Sequence, residues 1–270
     1  MRLQDKVIIV TGSTTGIGKA IALRCVSEGA KVVIHGLEKD LGETVMSQLG
    51  KDNAVLHIED ISNAGAADRL VDIAVRTFGK LDAVVNNAAA VLSSNIETTD
   101  TAFFEKILRI NLVAPLALIR AALPYLSKTK GCVLNIGSVN AYSGEPNLLA
   151  YSVSKGGLMT LSRNLGDTLH REHGVRVNQI NPGWVLTERE IQRKREQGLT
   201  DDWYAALPRV YAPAGRIFFP EEIAAAAIYW LADECGPVSG QVSDIEQHPF
   251  IGRNPAKDTS TIPSTTDKKN

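Results

Sequence analysis

Cysteine is sparse in this chain. Cys25, Cys132 and Cys235 are the only three in 270 residues and no two are close, so a disulfide framework, a thiolate metal site and a C-x-x-C redox pair all lack their residues. That usage suits a reducing cytoplasm. An excess of one charge is also missing: 29 Lys plus Arg stand against 30 Asp plus Glu, a net charge of −1. Such a balance supplies no global field for nucleic acid or for an anionic membrane, and neither partner is expected. The longest strongly apolar stretch, Ile223–Ala232, falls well short of the ~20 residues that cross a bilayer, and reads as a buried helix. The first residues lead directly into Val7–Val10 without an apolar signal core, so export is not expected. The five histidines are dispersed and no ligand cluster has metal-site spacing, so no metal is expected.

What the chain does have is a 44% hydrophobic content arranged as short β-branched runs separated by longer segments of helical spacing. The runs are Val7–Val10, Lys31–Ile34, Ala54–Ile58, Ala83–Val85, Cys132–Ile136 and Val175–Ile180, with a final strand at Gly240–Asp244. Helices are expected at Gly16–Glu28, Ala64–Phe78, Asp100–Leu126, Ala150–His173 and Pro220–Leu231. Near-continuous apolar strands are covered on both faces. The reading is α/β: a doubly wound parallel sheet of about seven strands, the Rossmann fold, with helices on both faces. No linker divides residues 1–250, which form one domain. Residues 251–270 are mostly polar, carry Pro255 and Pro263, and are expected to be loose or draped on a neighbour. The apolar Phe250 and Ile251, beside Gly252 and Arg253, suggest a segment that covers a neighbouring subunit's site.

Gly12-Ser13-Thr14-Thr15-Gly16-Ile17-Gly18 follows the first strand and opens the first helix. Backbone N–H groups and the helix dipole then converge on one spot suited to a dinucleotide pyrophosphate. A glycine-rich turn without a ligand is the plainer reading, but strand, glycines and helix stand in the required order. Nucleotide choice turns on the end of the second strand, where an acid bonds the ribose of NAD and a cation meets the extra phosphate of NADP. Here Gly36 is followed by Leu37 and Glu38, with no arginine at Thr15 or Leu37. Glu38 favours NAD over NADP, although it also suits a solvated acid at a helix start; a 2′-phosphate would depend on His35 or Lys39.

Tyr151 and Lys155 lie four apart at the start of a helix, on one face, where an ammonium lowers the pKa of a phenol and lets it exchange protons near neutral pH. Such pairs are also common as surface neighbours. Ser138 follows the fifth strand, at the carboxyl end of the sheet, where open α/β folds bind ligands; a turn hydroxyl is the alternative.

With these residues in place the chain, from about residue 5 to 245, resembles the short-chain dehydrogenase/reductase family in its compact form. The matching features, in order, are the turn Thr11–Gly18, Asp60, Asn86-Asn87-Ala88, Asn111, Ser138, Tyr151 with Lys155, and Asn181-Pro182-Gly183 with Thr187. The resemblance implies a NAD(P)-dependent enzyme in which Tyr151 is the acid/base, Lys155 lowers its pKa and bonds the nicotinamide ribose, and Ser138 polarises the reacting oxygen. It implies that Asn111 holds a water linking Lys155 to solvent. Gly36, Asp60 and Ile61 would meet the adenosine, Asn87, Ala88 and Ala89 its ribose side, and Pro182, Gly183, Val185 and Thr187 the nicotinamide. Ala89 stands where the family often has glycine, and Ile245-Glu246-Gln247-His248 replaces its glycine-rich ending. The resemblance also implies a homo-oligomer, a tetramer built through the helices Asp100–Leu126 and Ala150–His173.

Substrate choice is expected in the segment 187–217, which carries Glu188, Arg189, Glu190, Arg193, Lys194, Arg195, Asp201 and Asp202 with Trp203 and Tyr204. The charge run reads first as a solvated face. Asn140, Glu145 and Asn147 suggest a hydrogen-bonding pocket and hence a small-molecule alcohol or ketone such as a sugar, polyol or sugar acid, placing the chain in carbohydrate metabolism. A reductase of apolar 3-oxoacyl or other ketones, and a nucleotide-sensing protein without turnover, are the alternatives.

Overall fold

The computed structural model describes residues 1–249; Phe250 and the tail 251–270 lie outside the described residues. Seven parallel strands run β1 (Val7–Val10), β2 (Lys31–Gly36), β3 (Ala54–Ile58), β4 (Ala83–Asn86), β5 (Cys132–Ile136), β6 (Arg176–Pro182) and β7 (Val242–Ile245). Their order across the sheet is β3-β2-β1-β4-β5-β6-β7. The chain winds outward one way from β1 to β3, then returns and winds the other way from β4, so β1 and β4 are neighbours whose onward connections diverge. That divergence opens a crevice at their carboxyl ends.

Strand alternation explains why both faces need cover. In β1, Ile8 and Val10 face an apolar layer with Val32, Ile34, Ile21, Cys25 and Ile228, while Val7 and Ile9 face a second layer with Leu70, Leu118 and Leu126. All four β1 residues are buried, and each fully buried aliphatic side chain contributes roughly 1.5–3 kcal/mol. One face is covered by α1 (Gly16–Ser27), α2 (Lys39–Leu49) and α9 (Pro220–Leu231). The other is covered by α3 (Ala66–Phe78), α5 (Ala114–Thr129) and α7 (Leu149–His173). The short α6 (Asn140–Ser143) and α8 (Glu188–Glu196) lie in the connections after β5 and β6.

Four elements differ from the sequence reading: α2, α6 and α8 are helices it does not place, and one expected helix is divided. In α2, Gly42 in the middle of the helix packs so closely on β3 that a Cβ there would lie 2.6 Å from Leu56 Cδ1. The helix expected at Asp100–Leu126 is α4 (Thr101–Leu108), a π turn at Arg109–Val113 and then α5. The π turn sets Asn111 facing inward, 1% exposed. By length and composition alone the run Thr101–Thr129 is long and apolar enough to cross a membrane, a longer apolar segment than Ile223–Ala232. Its Ile107, Leu118, Ile119 and Leu126 are instead buried in the protein.

Candidate active site

The turn between β1 and α1 is laced to the end of β4. Thr11 Oγ1 accepts from the N–H groups of Asn87 and Ala88 at 2.9 and 3.0 Å, and Asn87 Nδ2 donates to the carbonyls of Thr11 and Gly12 at 2.9 and 3.0 Å. This leaves no room for a side chain at Gly18, where a Cβ would meet the Gly12 carbonyl oxygen at 2.2 Å. Gly16 takes the left-handed conformation, φ +53°, that glycine tolerates. Ser13 is fully buried, its hydroxyl donating to Val10 O at 2.7 Å and accepting from His35 N at 3.0 Å.

A cavity of about 940 Å³ opens from this turn across the carboxyl edge of the sheet. Gly12, Thr14, Thr15, Gly16 and Ile17 line it at the turn; Gly36, Glu38, Asp60 and Ile61 line it at the ends of β2 and β3. Asn87, Ala88 and Ala89 contribute just after β4, and Pro182 at the end of β6 is followed by Gly183, Val185 and Thr187. Ser138, Tyr151 and Lys155 line the same cavity. The cavity wall does not include three of the expected site residues. Ser13 and Gly18 sit behind the turn they shape, and Asn111 is committed elsewhere: its Oδ1 accepts from Ala90 N at 2.8 Å while Nδ2 donates to Ala90 O and Ser154 Oγ, both at 3.0 Å. Ala89 has no left-handed φ, so its methyl group is accommodated by ordinary backbone.

Asp60 Oδ1 accepts from both the N–H and the hydroxyl of Ser62, at 2.8 and 2.7 Å, and these bonds hold its carboxyl below the usual range. Glu38 accepts from the Thr14 hydroxyl at 3.2 Å. His35, 2% exposed, is pushed down to about 4 by burial and then by the neighbouring His57, so it is neutral at neutral pH. Lys39 is solvent-exposed and leans toward Glu43 at 3.6 Å.

At the other end, Lys155 is only 3% exposed and donates to the Ile136 carbonyl at 2.7 Å, with its ammonium 5.6 Å from the centre of the Tyr151 ring. Burial lowers its pKa to about 8. The Tyr151 phenol stands above its ordinary value, because burial outweighs a hydrogen bond with Ser138 and the positive charge of Arg193, while Glu145 raises it further. The sequence reading expects Lys155 to lower that phenol; in this structure the opposing influences are Ser138 and Arg193 instead.

Beneath Ser138 runs a polar chain, buried from Asn86 to Asn181 and reaching the surface at Asp244, that the sequence reading does not anticipate. Asn86 Nδ2 donates to Asn135 Oδ1 at 2.8 Å, and Asn135 Nδ2 to the Ser162 hydroxyl at 2.7 Å. The Ser162 proton faces the Leu158 carbonyl and Gln179 Oε1, each at 2.8 Å. Gln179 Nε2 donates to Asn181 Oδ1 at 2.7 Å, the same oxygen that accepts from Ser138 N at 3.2 Å. Asn181 Nδ2 and the Tyr142 hydroxyl both donate to Asp244 Oδ1, at 3.1 and 3.0 Å. Six elements, β4, β5, β6, β7, α6 and α7, are thereby tied to the backbone that carries Ser138, a connected network of the kind that fixes a single geometry.

The substrate side is walled by α8 and the residues before it. Trp184 Nε1 donates to Glu190 Oε1 at 2.9 Å, and Glu190 also takes the Arg193 guanidinium at 2.8–2.9 Å. Trp184 stacks on Trp203 at 5.0 Å with the Lys194 ammonium over both rings. The charge run is therefore divided: Glu188, Arg189, Glu190, Arg193 and Lys194 face the cavity, whereas Arg195 pairs with Asp201 on the exposed side. Glu246, from the altered ending after β7, packs on Gly183.

A family model described as Enoyl-(Acyl carrier protein) reductase matches residues 12–247. The chain is 35% identical over 242 residues to an NADP-dependent (R)-specific alcohol dehydrogenase of Lentilactobacillus kefiri, covering 86% of this chain and 92% of that one. This chain belongs to the short-chain dehydrogenase/reductase family. Among other short-chain dehydrogenase/reductase relatives are uncharacterized oxidoreductases of Staphylococcus aureus, 32% identical over 249 residues (92% of this chain, 98% of the relative), and of Thermotoga maritima, 33% over 250 residues (91% and 98%). It is an NAD(P)-dependent oxidoreductase acting on CH–OH groups.

The residues present fit a nicotinamide dinucleotide. Gly12 and Gly18 have no space for a Cβ, so the turn stays close to the sheet, and the cavity reaches the upper part of the size range for ligand pockets. The turn, Asp60 and the β6 end lie along one continuous wall.

Proposed function

We propose that the protein is an NAD-dependent dehydrogenase of a polar secondary alcohol, a sugar, polyol or sugar acid, with Tyr151 as the acid/base. The observation that carries this reading is the convergence of Tyr151, Ser138 and Lys155 on the cavity that begins at the glycine turn. Bound nicotinamide supplies the acceptor or donor of the hydride. The chain supplies the rest. Tyr151 Oη takes the hydroxyl proton of the alcohol on oxidation as the phenolate, the form that Ser138 and the Arg193 charge favour against burial, and as the resulting phenol returns it on reduction. Ser138, hydrogen-bonded with Tyr151 and backed by the Asn181 network, orients the reacting oxygen. Lys155 keeps a cation beneath the tyrosine ring and meets the nicotinamide ribose. Asn111 is a positioning residue that anchors the Ala90 segment.

Support for NAD lies in what surrounds Glu38. The two alternative partners of a 2′-phosphate are a buried neutral histidine, His35, and an exposed lysine, Lys39, facing Glu43, whereas the Glu38 carboxylate is held at the turn by Thr14. Support for a polar substrate comes from Asn140, Glu145, Glu190 and Arg193 in the cavity wall. Val91, Leu92, Leu148 and Tyr211 line it too and favour the second reading, reduction of an apolar ketone. Exposed Val113 and Leu116 on the run Thr101–Thr129 and Val153 on α7 support a homo-oligomer, which we propose as a tetramer, acting in the cytoplasm.

The test is steady-state turnover across matched panels of polyols, sugar acids and alkyl ketones with NAD(H) and NADP(H). Preferred oxidation of polyols or sugar acids with NAD is expected. Preference for alkyl ketones with NADPH would overturn both the substrate and the cofactor assignment.

A further inference from the structure

Glu188, the first residue of α8, reaches across to the glycine turn: its Oε2 accepts from the Gly16 N–H at 3.0 Å, over a separation of 172 residues. Gly16 opens α1, so this N–H lies at the positive end of a twelve-residue helix and within the turn assigned above to the dinucleotide pyrophosphate. The contact is set by more than one residue. Thr187 caps α8 by accepting from Glu190 N, and its methyl carbon lies 3.2 Å from where a Gly16 side chain would begin, so the starts of α1 and α8 abut. Glu188 itself is exposed.

Building on the dinucleotide-binding reading, we infer that Glu188 is an internal competitor for the cofactor's phosphate: its carboxylate occupies an anion-binding N–H that the dinucleotide needs, and loading the cofactor displaces it. A carboxylate and a phosphate ask the same thing of a helix N-terminus, an acceptor oxygen with negative charge, and one N–H cannot serve both at full strength. The cofactor's apparent affinity is therefore reduced by the fraction of molecules in which Glu188 holds the turn. Glu188 thus sets cofactor affinity.

The experiment is a titration of the purified full-length protein with NADH and with NADPH, following energy transfer from protein to nicotinamide, together with stopped-flow association rates. Wild type is compared with Glu188→Ala, Glu188→Gln and, as a control on the exposed side of α8, Gln192→Ala. Glu188→Ala is expected to bind the preferred nucleotide about tenfold more tightly and to associate faster, as when a competing state of about nine-tenths occupancy is removed. Glu188→Gln, which keeps an acceptor but not the charge, falls between, and Gln192→Ala stays at the wild-type value. Unchanged or weaker binding in both Glu188 variants would overturn the competition while leaving the dinucleotide reading standing. Failure of all four proteins to bind either nucleotide would overturn that reading and the competition with it.

Discussion

Asn111 and Ala90 bond each other in both directions: the side-chain Oδ1 accepts from Ala90 N at 2.8 Å and Nδ2 donates to Ala90 O at 3.0 Å. The π turn makes this possible, since it turns Asn111 from the α4–α5 run toward the segment that follows β4. Replacing Asn111 with Ala strands both Ala90 groups, and a buried unsatisfied group costs about 1–3 kcal/mol. Asn111→Ala is expected to lower the urea midpoint accordingly and to reduce kcat more than nucleotide affinity. Wild-type stability in that variant would show that water replaces the amide without loss.

Lys155 carries a cost in stability. A lysine whose folded pKa is lowered to about 8 loses protons more readily when folded, so the wild type gains stability as pH rises from about 8 through the ordinary lysine value. Below pH 8 the penalty is present in full, about 3 kcal/mol at 1.36 kcal/mol per pH unit. Lys155→Met is expected to be inactive yet more stable at pH 7 by up to that amount, the advantage shrinking at pH 10. Equal loss of stability at both pH values would indicate that the Ile136 hydrogen bond outweighs the buried charge.

His35 gives the same sign lower on the scale. Its folded pKa of about 4 lies below the unfolded one, so the unfolded chain binds the extra proton and stability is lost as pH falls from about 6.5 toward 4. Thermal midpoints measured over that window are expected to fall more steeply for the wild type than for His35→Gln. Parallel curves would mean that the ring is protonated in the folded protein.

At Gly18 the prediction is steric. A methyl group there would meet Gly12 O at 2.2 Å and Asn87 Nδ2 at 2.4 Å, so Gly18→Ala must push the turn off the end of β4. Overpacking of this kind costs about 1–3 kcal/mol, and nucleotide binding is expected to be lost with it. Retained nucleotide affinity in Gly18→Ala would show that the turn has slack.

The alternation of strands and helices was legible because parallel strands buried on both faces leave uninterrupted β-branched runs, as at Val7–Val10 and Cys132–Ile136. Helix α2 was not, because Gly42 carries the signal of a breaker while acting as a contact for Leu56. The π turn at Arg109–Val113 leaves no mark in hydrophobic spacing, since one wide turn shifts the pattern without interrupting it. Within the site, Tyr151 and Lys155 were visible through their local spacing. The chain from Asn86 to Asp244 and the contact of Glu188 with Gly16 join residues far apart in sequence, and no local pattern announces them. The sign of the Tyr151 shift differs for a similar reason: burial is a property of the assembled cavity, and it outweighs the charges nearby.

The assignment of Tyr151 as acid/base is tested most directly by Tyr151→Phe, measured for NADH affinity and for turnover of the best alcohol in the panel. The change removes only the hydroxyl that moves the proton. The account predicts NADH affinity within about twofold of wild type and turnover lower by roughly 10²–10⁴. Turnover near the wild-type rate would contradict it.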